Sequence, residues 1–167
     1  KKMLISSTYT PNSEKDIPWK FFLKSKAIWA LFINHFCSNW ILYMLLAWLP
    51  SYFRTQHGLS IMNAGLYSAA PSLSMLIFGN LGGYFADYLL QKKVSLTFIR
   101  KAMQVSGLLG SAIFLILVKD VNNASLAMGL MCGALGCSAL MWSGFVPNHL
   151  DIAPRYADVL MGITNTA

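Results

Sequence analysis

Four long stretches of the chain carry no Lys, Arg, Asp or Glu: residues 27–53, 55–86, 102–118 and 121–150. About 20 apolar residues in a helix cross the hydrocarbon core of a bilayer, and each stretch is near or above that length. The pattern predicts four membrane-spanning helices, at about 27–53, 61–86, 102–118 and 124–146, joined by short polar links such as 54–58 and 119–123. From about residue 157 the sequence turns apolar again, where a fifth helix begins. Pro71 lies inside the second span and predicts a kink, because it removes a backbone donor. Residues 1–26 hold six lysines and lack the ~7–15-residue apolar core of a signal peptide, so they read as a cytoplasmic loop leading into the membrane domain, 27–167. Both ends read as cut from a larger membrane protein.

Composition sharpens this picture by exclusion. Hydrophobic residues make up 56% of the 167, before glycine is counted, where soluble domains reach ~45–50% with it; charged residues make up 11% against a usual ~25%. A soluble enzyme domain would lack the polar surface to stay in water, and a disordered chain needs the opposite composition. The net charge of +7 does not signify nucleic acid, because the basic residues lie between apolar blocks and form no continuous face. They set orientation instead. Eleven of the 13 Lys and Arg fall in the N-terminal segment and the 87–101 and 147–156 loops, which four crossings place on one side; only Arg54 and Lys119 lie opposite. That asymmetry puts the richer side in the cytoplasm or its topological equivalent. Cys37, Cys132 and Cys137 sit inside spans at spacings of neither a zinc site nor a disulfide framework, and read as packing residues.

Chemistry is sparse within the spans. His35, Asn39 and Tyr43 recur every four residues and form one polar row along the first helix. Polar groups in a membrane helix face either a water-filled path or a partner helix, and both readings stay open for this row. Ser68, Ser72 and Ser138 add hydroxyls to the same path or bond their own helix backbone. Gly79 and Gly83 in the second span, and Gly129 with Gly133 and Gly136 in the fourth, are small positions at which helices approach closely. Ser111 in the third span reads as peripheral. Asn123-Ala-Ser125 matches a glycosylation sequon, too near a membrane helix for modification. The spans offer no carboxylate pair, nucleophile with a base, metal-ligand spacing or phosphate loop. An enzyme, a metal and a cofactor are therefore not expected.

Two motifs carry a family resemblance. Gly83-x-x-x-Asp87 followed by Lys92 and Lys93, in a short cytoplasmic loop, resembles the signature loop of major facilitator transporters. Ser143-Gly-Phe-Val-Pro-Asn148-His149-Leu-Asp151-Ile-Ala-Pro154-Arg155-Tyr156, continuing to Gly162 and Asn165, resembles the loop after the tenth helix of the anion:cation symporter family. That family includes sialin, the vesicular glutamate transporters and plant plastid phosphate transporters. Ile17-Pro18-Trp19-Lys20, Phe36-Cys37 with Asn39-Trp40, Trp48-Leu-Pro50-Ser-Tyr52-Phe53 and Arg100-Lys101-Ala-Met103 extend it over residues 17–167.

The resemblance implies an all-α membrane fold, helices seven to ten and the start of eleven of a twelve-helix transporter. It implies a partner in the missing N-terminal six-helix half, a small anionic substrate such as an organic anion or phosphate, and a coupling cation, proton or sodium. His35, Asn39, Tyr43, Ser68, Ser72 and Ser138 then become substrate-path candidates. Gly83, Asp87, Lys93, Asp151 and Arg155 become cytoplasmic gate candidates. Where the vesicular glutamate branch has an arginine this chain has Ser38, which implies that the main anion-binding charge lies in the N-terminal half. Plastid, vacuolar or lysosomal, and plasma membranes all host relatives. The competing class is a non-transporting membrane scaffold or sensor built on the same fold.

Overall fold

The computed structural model describes residues 19–166, with the Phe21 side chain excepted; most of the expected N-terminal loop, residues 1–18, lies outside the described residues. The elements are helices α1 (Trp19–Lys24), α2 (Lys26–His57), α3 (Ile61–Gln91), α4 (Leu96–Val118), α5 (Ala124–Phe145) and α6 (Asn148–Ile152), a 3-10 turn (Pro154–Tyr156), and α7 (Ala157–Asn165). Among the described residues there is no strand. Four helices, α2 to α5, are long and apolar enough to cross a membrane. The protein is an integral, multi-pass membrane protein.

Helices α2, α3 and α4 run past the charge-free stretches, because a helix continues past the bilayer wherever its ends can be capped. α2 absorbs residues 54–57, expected as a link, with His57 Nε2 in contact with the Tyr52 hydroxyl at 3.2 Å. It stops at Gly58, whose φ of 64° is the left-handed region that glycine enters without a Cβ clash. α3 continues to Gln91 and turns through Lys93, a non-glycine residue at φ 59°. Pro71 is buried inside α3, which is one continuous helix. α4 starts at Leu96, earlier than the apolar pattern alone. Side-chain caps begin two helices: Ser60 Oγ accepts the Asn63 N–H at 3.3 Å, and Asn123 Oδ1 accepts the Leu126 N–H at 2.9 Å. The sequon asparagine thus serves as a helix cap. Residues 19–24, expected as loop, form the short helix α1, whose buried Phe22 meets Tyr156 edge-on at 6.1 Å.

α5 is the centre of the bundle. Eleven of its residues are buried, against four of the longer α3, and its most extensive contacts are with α4 and α3. Small residues on both sides of each seam make this possible. A Cβ at Gly107 would sit 2.5 Å from Met141 Cγ and 2.9 Å from the Cys137 carbonyl oxygen, and one at Gly144 would sit 2.9 Å from the Arg100 carbonyl oxygen. Gly133 and Gly136 likewise face the Phe114 ring and Ser74. The expected close approaches at Gly83 and Gly129 are absent, since neither has a neighbour within 4 Å among the described residues; Gly82, one position earlier, is the packed glycine of α3, against Leu140 and Ser143. Ser111 is not peripheral. It is 1% exposed and donates across the α4–α5 seam to the Ala134 carbonyl at 2.8 Å.

The charge asymmetry yields a first test. Single cysteines at Gln91 and Gln56, in a background without native cysteines, are expected to react with impermeant reagent from opposite faces of the membrane. Labelling of both from one face would overturn the four-crossing arrangement.

Candidate functional site

The polar row on α2 meets α7 at two of its three positions. His35, 6% exposed, places Nδ1 2.8 Å from Thr164 Oγ1, and Asn39 Nδ2 donates to Asn165 Oδ1 at 3.3 Å. Tyr43, the third position, is 61% exposed on this chain. The serines divide. Ser68 Oγ donates to the Ala64 carbonyl at 2.6 Å and Ser138 Oγ to the Leu135 carbonyl at 2.7 Å, so both hydroxyls are spent on their own helices. Ser72 is half-buried on α3. Ser38 is buried and turns its hydroxyl toward Met141 Sδ, 3.8 Å away on α5.

Two residues the sequence did not single out for this site complete it. His149, 1% exposed on α6, reaches the same Thr164 hydroxyl with Nε2 at 2.9 Å, while its Nδ1 faces the carbonyls of Phe145 at 3.2 Å and Val146 at 3.0 Å. Thr164 itself is fully buried. His35 and Thr164 lie 129 positions apart, and no local periodicity links residues at that distance. The available signal was chemical: each is a polar residue in a predominantly apolar segment.

The gate candidates fall in two groups. Arg100, at the start of α4, donates from Nε to Asp151 Oδ2 at 2.9 Å and from Nη1 to the Ser143 carbonyl at 3.0 Å. Asp151 is therefore paired with Arg100 rather than with Arg155, whose guanidinium lies 5.4 Å from the centre of the Tyr156 ring. Asp87, Gly83 and Arg100 line one cavity of about 490 Å³ between α3, α4 and the end of α5, together with Asn80, Trp142 and Ser143. Lys93 is exposed in the turn after α3. Asp151 thus bonds Arg100, and Asp87 and Gly83 share a cavity with it; Arg100 is visible in the Arg100-Lys101 motif but was not chosen. Among the described residues no cluster of His, Cys, Asp and Glu is able to hold a metal ion.

Comparison with known proteins agrees with this architecture. The chain is 40% identical, over its whole length, to a probable anion transporter 4, chloroplastic, of Oryza sativa subsp. japonica, covering 28% of that protein. It is 40% identical over its whole length to the ascorbate transporter, chloroplastic, of Arabidopsis thaliana, covering 31% of it. Over 93% of its length it is 40% identical to vesicular glutamate transporter 1 of Xenopus laevis, covering 27% of it. The chain therefore spans about a third of the length of the curated relatives it matches. The sequence model of the Major Facilitator Superfamily matches residues 5–167. With three further membrane helices packed around α5 and relatives that are anion transporters, the chain belongs to the major facilitator superfamily and matches its anion:cation symporter family.

Proposed function

We propose that this chain is the C-terminal-half portion of a secondary transporter that moves an organic anion or inorganic phosphate by alternating access, driven by a proton or sodium gradient. The observation that carries the reading is the similarity to anion transporters over the whole chain, joined to a polar row on α2 that hydrogen-bonds α7 at two positions, one of them buried. In such a mechanism the two halves rock about a site near the midplane, and helices of this half line one wall of the path. His35, Asn39 and Tyr43 present that wall's polar side chains, and the Arg100 cluster braces the cytoplasmic end. The missing half supplies the principal cationic partner for the substrate.

The deciding experiment is uptake of labelled phosphate, glutamate, ascorbate and sialic acid by the full-length protein in liposomes, with proton or sodium gradients imposed separately. Gradient-driven accumulation of at least one anion is expected. Folded, correctly inserted protein that accumulates none of them under either gradient would leave the scaffold class standing instead.

Two substitutions refine the assignment. Asn39→Ala is expected to reduce transport several-fold more than Ser106→Ala, because Ser106 is exposed on α4 and bonds only its own helix. Equal effects would reduce the row to packing. Asp87→Asn is expected to slow turnover while leaving substrate affinity and membrane insertion close to wild type. Exposed charges contribute only ~0–1 kcal/mol each, yet a shift of ~1.4 kcal/mol between two near-balanced states changes their ratio tenfold. Normal turnover in that variant would remove Asp87 from the gate.

A further inference from the structure

Two imidazoles share one hydroxyl in the interior of this protein. Thr164 Oγ1 lies 2.8 Å from His35 Nδ1 and 2.9 Å from His149 Nε2, and the two rings are 5.9 Å apart, nearly perpendicular. The direction of every hydrogen bond in this chain follows from what each atom is able to do. His149 Nδ1 faces two carbonyl oxygens, which only accept, so Nδ1 carries a proton and the neutral ring has a bare Nε2. That Nε2 needs a donor, and the Thr164 hydroxyl, which also has the Met161 carbonyl at 3.2 Å as an acceptor, supplies it across the shorter 2.9 Å contact. Having given its one proton to His149, Thr164 Oγ1 accepts from His35 Nδ1–H. The remaining nitrogen, His35 Nε2, then has a free lone pair. Among the described residues the fully buried side-chain polar atoms without a partner are both on Gln104, so His35 Nε2, which carries no hydrogen bond, keeps contact with open space.

We propose that His35, Thr164 and His149 form a proton relay, which takes one proton at His35 Nε2 and lodges its charge on His149. The bookkeeping closes with no co-reactant. A proton binds His35 Nε2; the Nδ1 proton of His35 passes to Thr164 Oγ1; the former Thr164 proton passes to His149 Nε2. His35 ends neutral with Nδ1 bare, Thr164 now donates to it, and His149 is an imidazolium that donates to Thr164 and to the carbonyls behind it. The two hydrogen bonds to Thr164 survive with their directions reversed and those from His149 Nδ1 to the carbonyls are unchanged, so the transfer requires only motions of protons along bonds already made.

The end point is prepared for charge. The carbonyls of Phe145 and Val146 belong to the last turn of α5, a 22-residue helix whose C-terminus carries the negative end of its dipole and favours a cation. Facing the relay from α5 is the Phe145 ring, 4.9 Å from that of His35, and from α2 the neighbouring Ser38 bonds Met141. The charged groups on the other elements around it are Asp151 on α6, held by Arg100, with the exposed Arg155 on the 3-10 turn and the exposed Asp158 on α7. The two imidazoles are thus linked to one another through the Thr164 hydroxyl. The relay also ties α2, α6 and α7 together, so proton occupancy acts on the contact between the polar row and α7. This deepens the transport reading by making the coupling cation a proton, and rests on that reading only for the coupling.

Two measurements on the full-length protein separate the relay from transport. In nanodiscs, nitrogen-15 histidine spectra over pH 5–8, assigned by His35→Gln and His149→Gln, are expected to show the two rings taking up one proton as a coupled pair. Thr164→Val, which removes the hydroxyl at nearly constant volume, is expected to uncouple them, and Thr164→Ser to restore the coupling. In liposomes, with labelled inorganic phosphate as the probe, Thr164→Val is expected to lose at least tenfold of proton-driven uptake while retaining exchange at equal pH, with Thr164→Ser close to wild type. Independent titration of the two rings in the wild type, or coupling that survives in Thr164→Val, would overturn the relay. If the pair couples but a sodium gradient alone drives uptake, the relay stands and its role in coupling falls; if no anion moves, the spectra still decide the relay and the transport reading fails.

Discussion

Gly107→Ala is expected to lower the unfolding temperature of the purified protein by several degrees, while Gly129→Ala leaves it unchanged or raises it. The substitution is the same and both sites lie within membrane helices, so helix propensity favours alanine at each by up to ~1 kcal/mol. Space decides the sign. At Gly107 the new methyl would lie 2.5 Å from Met141 Cγ and 2.9 Å from the backbone oxygen of Cys137, both on α5; at Gly129 nothing lies within 4 Å. Relief requires α4 and α5 to separate along their longest seam, and overpacking of this kind costs about 1–3 kcal/mol. Fluorescence-detected unfolding in detergent gives the comparison directly. Equal unfolding temperatures would mean that the seam yields without cost and that α5 is not the rigid centre described above.

The second large effect is expected at Arg100. Arg100→Ala removes the bond to Asp151 and the bond to the Ser143 carbonyl together, and Arg100 is only 14% exposed against 26% for Asp151. Hydrogen bonds to charged groups contribute about 1.5–3 kcal/mol when sheltered and exposed ion pairs ~0–1 kcal/mol, so an intermediate loss of about 2 kcal/mol is expected. Asp151→Ala should lose less, because Arg100 keeps its bond to Ser143. In a double-mutant cycle the two changes are expected to couple by about 1 kcal/mol, falling as salt is raised. Additive losses would show that the pair seen in the structure contributes nothing to stability.

How much of this was readable beforehand follows from the range of each interaction. The four crossings were legible because a bilayer excludes charge, and 27–53 and 55–86 announce that exclusion residue by residue. Helix ends were less so: α2 runs to His57 and α3 to Gln91 through polar residues, since capping by Gly58 and turning at Lys93 depend on backbone geometry rather than hydropathy. The row of His35 and Asn39 was visible from its spacing of four, but its partners Thr164 and Asn165 are brought by tertiary packing and leave no periodic trace. Ser68 and Ser138 carry the same hydroxyl as Thr164, and only coordinates reveal that they turn back onto their own carbonyls. Charge pairing is equally non-local. Arg155 is four residues from Asp151 in sequence, whereas Arg100, 51 residues away, makes the bond.

Arg100 also fixes where this half is able to bend. It fastens the start of α4 to the last turn of α5 and to α6, so these three segments form one stiff, hydrogen-bonded block at one end of the bundle. α7 joins that block through Ala153 and the three residues of the 3-10 turn, Pro154–Tyr156. A lever attached through so short a joint pivots there or not at all, and the far end of the lever carries Thr164 and Asn165. Small rotations at the joint therefore become displacements at the polar row of α2. The stiff block is the fulcrum, and the turn beginning at Pro154 is its bearing.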